Sequence, residues 1–95
     1  MAHKFLIHGI EDSVGVAVAD IKAGEPVVGV YLDSNKEINI TANHDIPLGH
    51  KIALVDLAVD DFVIEYAEKI GKATQPIKIG DWTHVHNIKS ARWGK

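Results

Sequence analysis

Apolar residues fall along this chain in short runs separated by turn-forming residues. The β-prone runs are Phe5-Leu6-Ile7, Gly15-Val16-Ala17-Val18 and the stretches 26–32, 37–41, 51–54 and 62–66. Runs this short, rich in Val and Ile and bounded by Gly, Pro, Asp or Asn, predict strands. Val30-Tyr31-Leu32 and Ile38-Asn39-Ile40-Thr41 flank the turn-rich Asp33-Ser34-Asn35-Lys36, the arrangement of a β-hairpin. No window carries an i, i+3, i+4, i+7 apolar stripe beyond about two turns. Helix is therefore confined to one turn over 55–58 and a helix-tolerant stretch over 65–69. In the latter, Val63 and Ile64 before it and Gly71 after it fit a strand and a turn better.

One pattern recurs three times: Asp20-Ile21-Lys22-Ala23-Gly24, Asp45-Ile46-Pro47-Leu48-Gly49 and Pro76-Ile77-Lys78-Ile79-Gly80. In each, the Ile can plug a core while the Gly tolerates the positive φ that reverses the chain, after which an apolar run restarts. The copies punctuate the chain and are too irregularly spaced for a solenoid. The expected architecture is mainly β, with short strands, irregular crossovers and at most one or two helical turns, forming a single domain over 1–95.

Composition narrows the function classes. With 95 residues, 46% of them hydrophobic and 24% charged, the chain supports one modest core. A net charge of -3 without a Lys/Arg stripe argues against nucleic acid, and the basic end formed by Lys89, Arg92 and Lys95 is too small to change that. No cysteine is present, which removes a disulfide framework, a thiol nucleophile and thiolate ligands. Any metal must sit on His, carboxylate or carbonyl oxygen. No stretch reaches the ~18 apolar residues of a membrane span, and no signal-like segment follows Met1-Ala2-His3-Lys4-Phe5, so the expected location is the cytoplasm.

The chemistry-bearing residues gather near the C-terminus. His84-Val85-His86 is followed by Asn87 and opened by Gly80-Asp81-Trp82-Thr83. In an extended strand, side chains at i and i+2 leave on one face, roughly 6.5–7 Å apart, with Val85 turned to the core. Two imidazoles there can converge on a metal ion or an oxyanion, or they can form the watered polar edge of a half-buried sheet. An open catalytic site needs at least one more ligand. Asn87 can donate an amide hydrogen bond to a substrate, orient a ring, or simply make a turn. His50 and Lys51 follow a Gly turn, where Lys51 can meet an anionic substrate as a point charge or be merely solvated. Lys89 and Arg92 are spaced to meet a carboxylate or sulfonate, Arg as a bidentate fork, or to form a basic tail with Trp93 as an interface anchor. His3, His8 and His44 have no companion motif and read as surface residues.

Three segments together resemble a known family. The run 45–54, then Val63-Ile64-Glu65-Tyr66 with Ile70-Gly71-Lys72-Ala73-Thr74, and finally Gly80 through His86-Asn87 resemble the SAF domain of the altronate and galactarate dehydratase family. The resemblance spans nearly the whole chain and implies a β-clip fold. It also implies a metal-dependent lyase reaction on a hydroxy acid, such as 3-sulfolactate or the sugar acids altronate and galactarate. Iron(II) is the metal the resemblance implies, although His and oxygen ligands suit manganese and zinc as well. Under this reading His84 and His86 are the catalytic and metal-ligating residues. His50, Lys51, Asn87, Lys89 and Arg92 are then the substrate-binding set. A domain of this length further resembles a small subunit whose large catalytic subunit is a separate chain, and a homo-oligomer is compatible with it. The alternatives are a sugar-acid-binding module without catalysis and a purely structural subunit.

Overall fold

A computed structural model of the chain describes residues 3–84 and 87–90 and, among them, contains strands and no helix. In chain order these are β1 (Phe5–Ile7), β2 (Val14–Ala17), β3 (Pro26–Tyr31), β4 (Glu37–Thr41), β5 (Lys51–Ala53), β6 (Phe62–Glu65), β7 (Glu68–Ala73), β8 (Trp82–Thr83) and β9 (Ile88–Ser90). One sheet runs β4-β3-β1-β2-β5-β8 and the other β6-β7-β9. The β-clip architecture is borne out, as is the β3–β4 hairpin, which pairs Pro26 with Thr41 through Val30 with Glu37. Phe5, Ile7, Ile21, Val27, Ile40, Ile46 and Ile52 are buried in the main core.

The recurring pattern proves to be a longer unit with a fourth copy. Nine-residue segments 17–25, 42–50, 53–61 and 73–81 each begin at a buried alanine, Ala17, Ala42, Ala53 or Ala73. The eighth residue of each has left-handed backbone: Gly24 (φ 84°), Gly49 (88°), Asp60 (74°) and Gly80 (93°). Copies pair one with two and three with four, through the bridges Ile21 to Ile46 and Leu57 to Ile77. Within each pair the eighth residue donates its N–H to the partner's alanine carbonyl, at 2.7–2.9 Å (Gly24 to Ala42, Gly49 to Ala17, Asp60 to Ala73, Gly80 to Ala53). The alanine N–H in turn donates to the ninth residue's carbonyl, at 2.8–3.0 Å. Aspartates at position four add cross-caps, with Asp20 accepting from Leu48 N, Asp45 from Ala23 N and Asp56 from Ile79 N. Crossovers that looked irregular in sequence are thus one hydrogen-bonded turn used repeatedly.

Two expectations are corrected. The helical turn expected over 55–58 is absent, because Leu57 bridges Ile77 inside the third repeat. Gly71 is not a turn. The reversal occurs earlier, at Tyr66 and Ala67, both in left-handed backbone (φ 55° and 60°) with their N–H groups held by the buried Asp12 carboxylate at 3.1 Å each. Strand β7 then runs straight through Gly71, where an added Cβ would lie 2.6 Å from the Lys89 carbonyl. Close approach of β9, not chain reversal, is the reason for glycine there.

Candidate functional site

Two short strands assemble the site. Pairing of β5 with β8 sets Ile52 opposite Trp82 and Lys51 opposite Thr83, so residues flanking position 50 meet residues flanking position 83. The Trp82 indole packs against the main core and donates its Nε1–H to His50 Nδ1 at 3.2 Å. The exposed His84 ring stacks on the indole, with centroids 5.6 Å apart and planes 7° from parallel. His50 and His84 lie 5.0 Å apart, centroid to centroid. Three rings thereby share one face, with half-buried His50 at its inner edge.

Asn87 fixes this geometry from behind. Only 4% exposed, it accepts the His84 N–H at 2.9 Å through Oδ1 and donates Nδ2 to the Trp82 carbonyl at 2.9 Å. The His84 carbonyl also takes the N–H groups of Asn87 and Ile88. The strand therefore stops at Thr83, and His84 stands in a bend rather than in the extended strand expected for it. His86 and Arg92, like Val85 and Trp93, lie outside the described residues. Asn87 acts by placing its neighbours, since both ends of its amide are committed to backbone. His44 joins from the first sheet's outer turn, accepting the Trp82 N–H on Nδ1 at 3.1 Å. With that lone pair occupied, its 3.9 Å approach to Asp81 is not an ion pair.

His50 and Lys51, adjacent in sequence, are sent to opposite faces by strand alternation. Lys51 lies 3.9 Å from Glu65. Burial pushes the Glu65 carboxyl above the usual carboxylate range; Lys51 pulls it back and Asp12 adds to the rise, with burial winning. A raised folded value means that ionising Glu65 costs stability. The penalty is absent in acid, below the ordinary carboxylate value, and fully present once the pH exceeds the raised one. Glu65→Gln is accordingly expected to raise the melting midpoint at neutral pH. That gain should close as pH falls through the carboxylate range; a gain independent of pH would assign it to packing instead. Lys89 stands exposed on β9 in the second sheet, opposite Lys72.

Among the described residues no three His, Asp or Glu side chains converge as metal ligands, and His50 Nδ1 is already occupied by the indole. These residues alone do not make up a resident metal site. The members that sequence reasoning missed are Trp82 as the organising ring and His44 as its support. No helix among the described residues is long and apolar enough to cross a membrane.

Fold and site together define an all-β domain of four paired turns carrying a His-Trp-His ring cluster along one sheet edge. The sequence model of the altronate/galactarate dehydratase SAF domain matches residues 3–91. The chain belongs to that family. It is 39% identical over 94 residues to the (2R)-sulfolactate sulfo-lyase subunit alpha of Chromohalobacter salexigens, covering 98% of this chain and 100% of that one. To the protein of the same name in Paracoccus pantotrophus it is 44% identical over 64 residues, 67% of this chain and 96% of the relative. Altronate dehydratase of Bacillus subtilis is 38% identical over 80 residues, 84% of this chain but 15% of that enzyme.

Proposed function

We propose that this chain is the small subunit of a cytoplasmic lyase acting on a hydroxy acid, with 3-sulfolactate the leading substrate and pyruvate and sulfite the products. The observation that carries this reading is the end-to-end match to a relative named as a sulfo-lyase subunit alpha. The partner is a large catalytic subunit, and its size class follows from altronate dehydratase, in which the matching segment is a small fraction of one long chain. The ring cluster lies along a sheet edge, and ligand sites are commonly completed at an interface between domains.

In such a reaction a base removes the proton beside the carboxylate, charge spreads onto that carboxylate as an enolate, and sulfite leaves the neighbouring carbon. His84 and His86 are the groups assigned to proton transfer or ligation, because a neutral imidazole does either near neutral pH. A divalent ion, iron(II) or else manganese or zinc, supplies charge stabilisation of the enolate when bound, and needs donors from the partner in addition to these two histidines. Lys89 and Arg92 are the cations assigned to the substrate's anionic groups, while the Lys51 ammonium lies 3.9 Å from Glu65.

Co-expression with the large chain and an assay for sulfite released from 3-sulfolactate tests the reading. Sulfite is expected only when both chains are present, with loss on chelation and recovery on adding iron(II). Dehydration of altronate or galactarate without sulfite release would move the substrate to the sugar acids. Binding without turnover of any of them would make this a non-catalytic module.

A further inference from the structure

Position nine of the repeat singles out His50. In the other three copies it is an acid, Glu25, Asp61 or Asp81, whose carboxylate accepts the N–H of the residue three before it: Lys22 at 3.0 Å, Ala58 at 2.8 Å and Lys78 at 2.8 Å. In the copy ending at His50 that residue is Pro47, which has no N–H to cap. The turn itself is kept, since His50 N still donates to the Pro47 carbonyl at 3.0 Å. Proline thus releases position 50 from the task its three counterparts perform, and the released side chain lies against Trp82 and His84 instead.

How it is held decides what it can do. An indole N–H only donates, so His50 Nδ1 must offer its lone pair to Trp82, and the neutral ring then carries its hydrogen on Nε2. The second nitrogen is a donor. Ligating a metal through Nε2 would move that hydrogen to Nδ1 and break the indole contact. We propose that His50 is a fixed neutral Nε2–H donor that binds an oxyanion of the hydroxy acid, a carboxylate or sulfonate oxygen, beside His84. This assignment rests on the hydroxy-acid reading above and makes the Pro47–His50 exception its structural cause.

Two measurements test it. Histidine side-chain 1H–15N correlation spectra of the full chain, in mildly alkaline buffer, should give His50 as the Nε2–H tautomer, and Trp82→Phe should mix the tautomers. Calorimetric titration of the two-chain complex then uses lactate, which keeps the carboxylate and 2-hydroxyl without a leaving group, and isethionate, which keeps the sulfonate. His50→Ala should weaken one of them roughly 10- to 100-fold, the size of a lost hydrogen bond to a charged group. His50→Gln, which restores an N–H near the Nε2 position, should recover most of that loss. Whichever anion is weakened identifies the oxyanion bound. An Nδ1–H tautomer in the wild type overturns the proposal, as do unchanged affinities for both anions in His50→Ala. If the wild-type complex binds neither anion, the hydroxy-acid reading falls with it, which the spectra on the free chain tell apart from a failure of His50 alone.

Discussion

Gly80→Ala is expected to destabilise the fold by about 3–5 kcal/mol, a large share of the ~5–15 kcal/mol that holds a typical domain together. Two costs add at this position. The backbone lies at φ 93°, where a Cβ is strained, and an alanine methyl would also run into the Thr41 carbonyl. Neither atom can yield easily, because Gly80 donates to Ala53 O at 2.9 Å and accepts from Asn43 N at 2.9 Å, while Asn43 Nδ2 grips Ile79 O and Asp81. Gly24 and Gly49 separate the two costs: their φ values are 84° and 88°, and a Cβ at either meets nothing within 4 Å. Alanine there should cost only the backbone term, about 1–2 kcal/mol. Urea unfolding of the three variants decides the matter. Equal losses at all three positions would remove the contact with Thr41 from the account and leave backbone strain alone.

The repeats also mark where the sequence could be read and where it could not. Three copies were legible because Gly closes each turn and Ile precedes it. The copy at 53–61 is hidden because Asp60 takes the left-handed position usually given to glycine, so that 55–58 reads as a single helical turn. Strand β7 was missed for the converse reason, since Gly71 punctuates the sequence although it is there for the approach of β9. The ring cluster was legible only in part. His84 and His50 were each picked out, but His50 was grouped with its neighbour Lys51, and only the pairing of β5 with β8 shows that the two face apart while His50 meets a ring 34 positions away. Strands of two or three residues are too short for alternation to be read from hydropathy, so the face each side chain takes is decided by pairing that no local window contains. Pro47 was the available signal, a proline standing where the other copies need an N–H.

The double variant His84→Ala/His86→Ala should lower lyase activity of the assembled complex by roughly 10²- to 10⁴-fold, the range for losing a positioned proton-transfer group, with a ligand's loss at least as damaging. The structure makes this a clean experiment at His84. Its ring is exposed and rests on Trp82, whereas the local backbone is held by Asn87 through the His84 N–H and carbonyl, which alanine keeps. Unfolding free energy of the single His84→Ala chain should therefore fall by no more than about 0.5–1.5 kcal/mol, the size of its stack on Trp82. Asn87→Ala is the counterpart: it keeps the Trp82 and His84 side chains but removes the support of their backbone, leaving the Trp82 carbonyl and the His84 N–H without this partner, and should cost stability and activity together. Kinetics, unfolding curves and sizing of the complex on these variants separate chemistry from scaffolding. Full activity in a correctly assembled double variant would place the reacting groups wholly in the partner and leave this chain a scaffold or a binding module. Activity lost together with assembly would instead assign the two histidines to the interface.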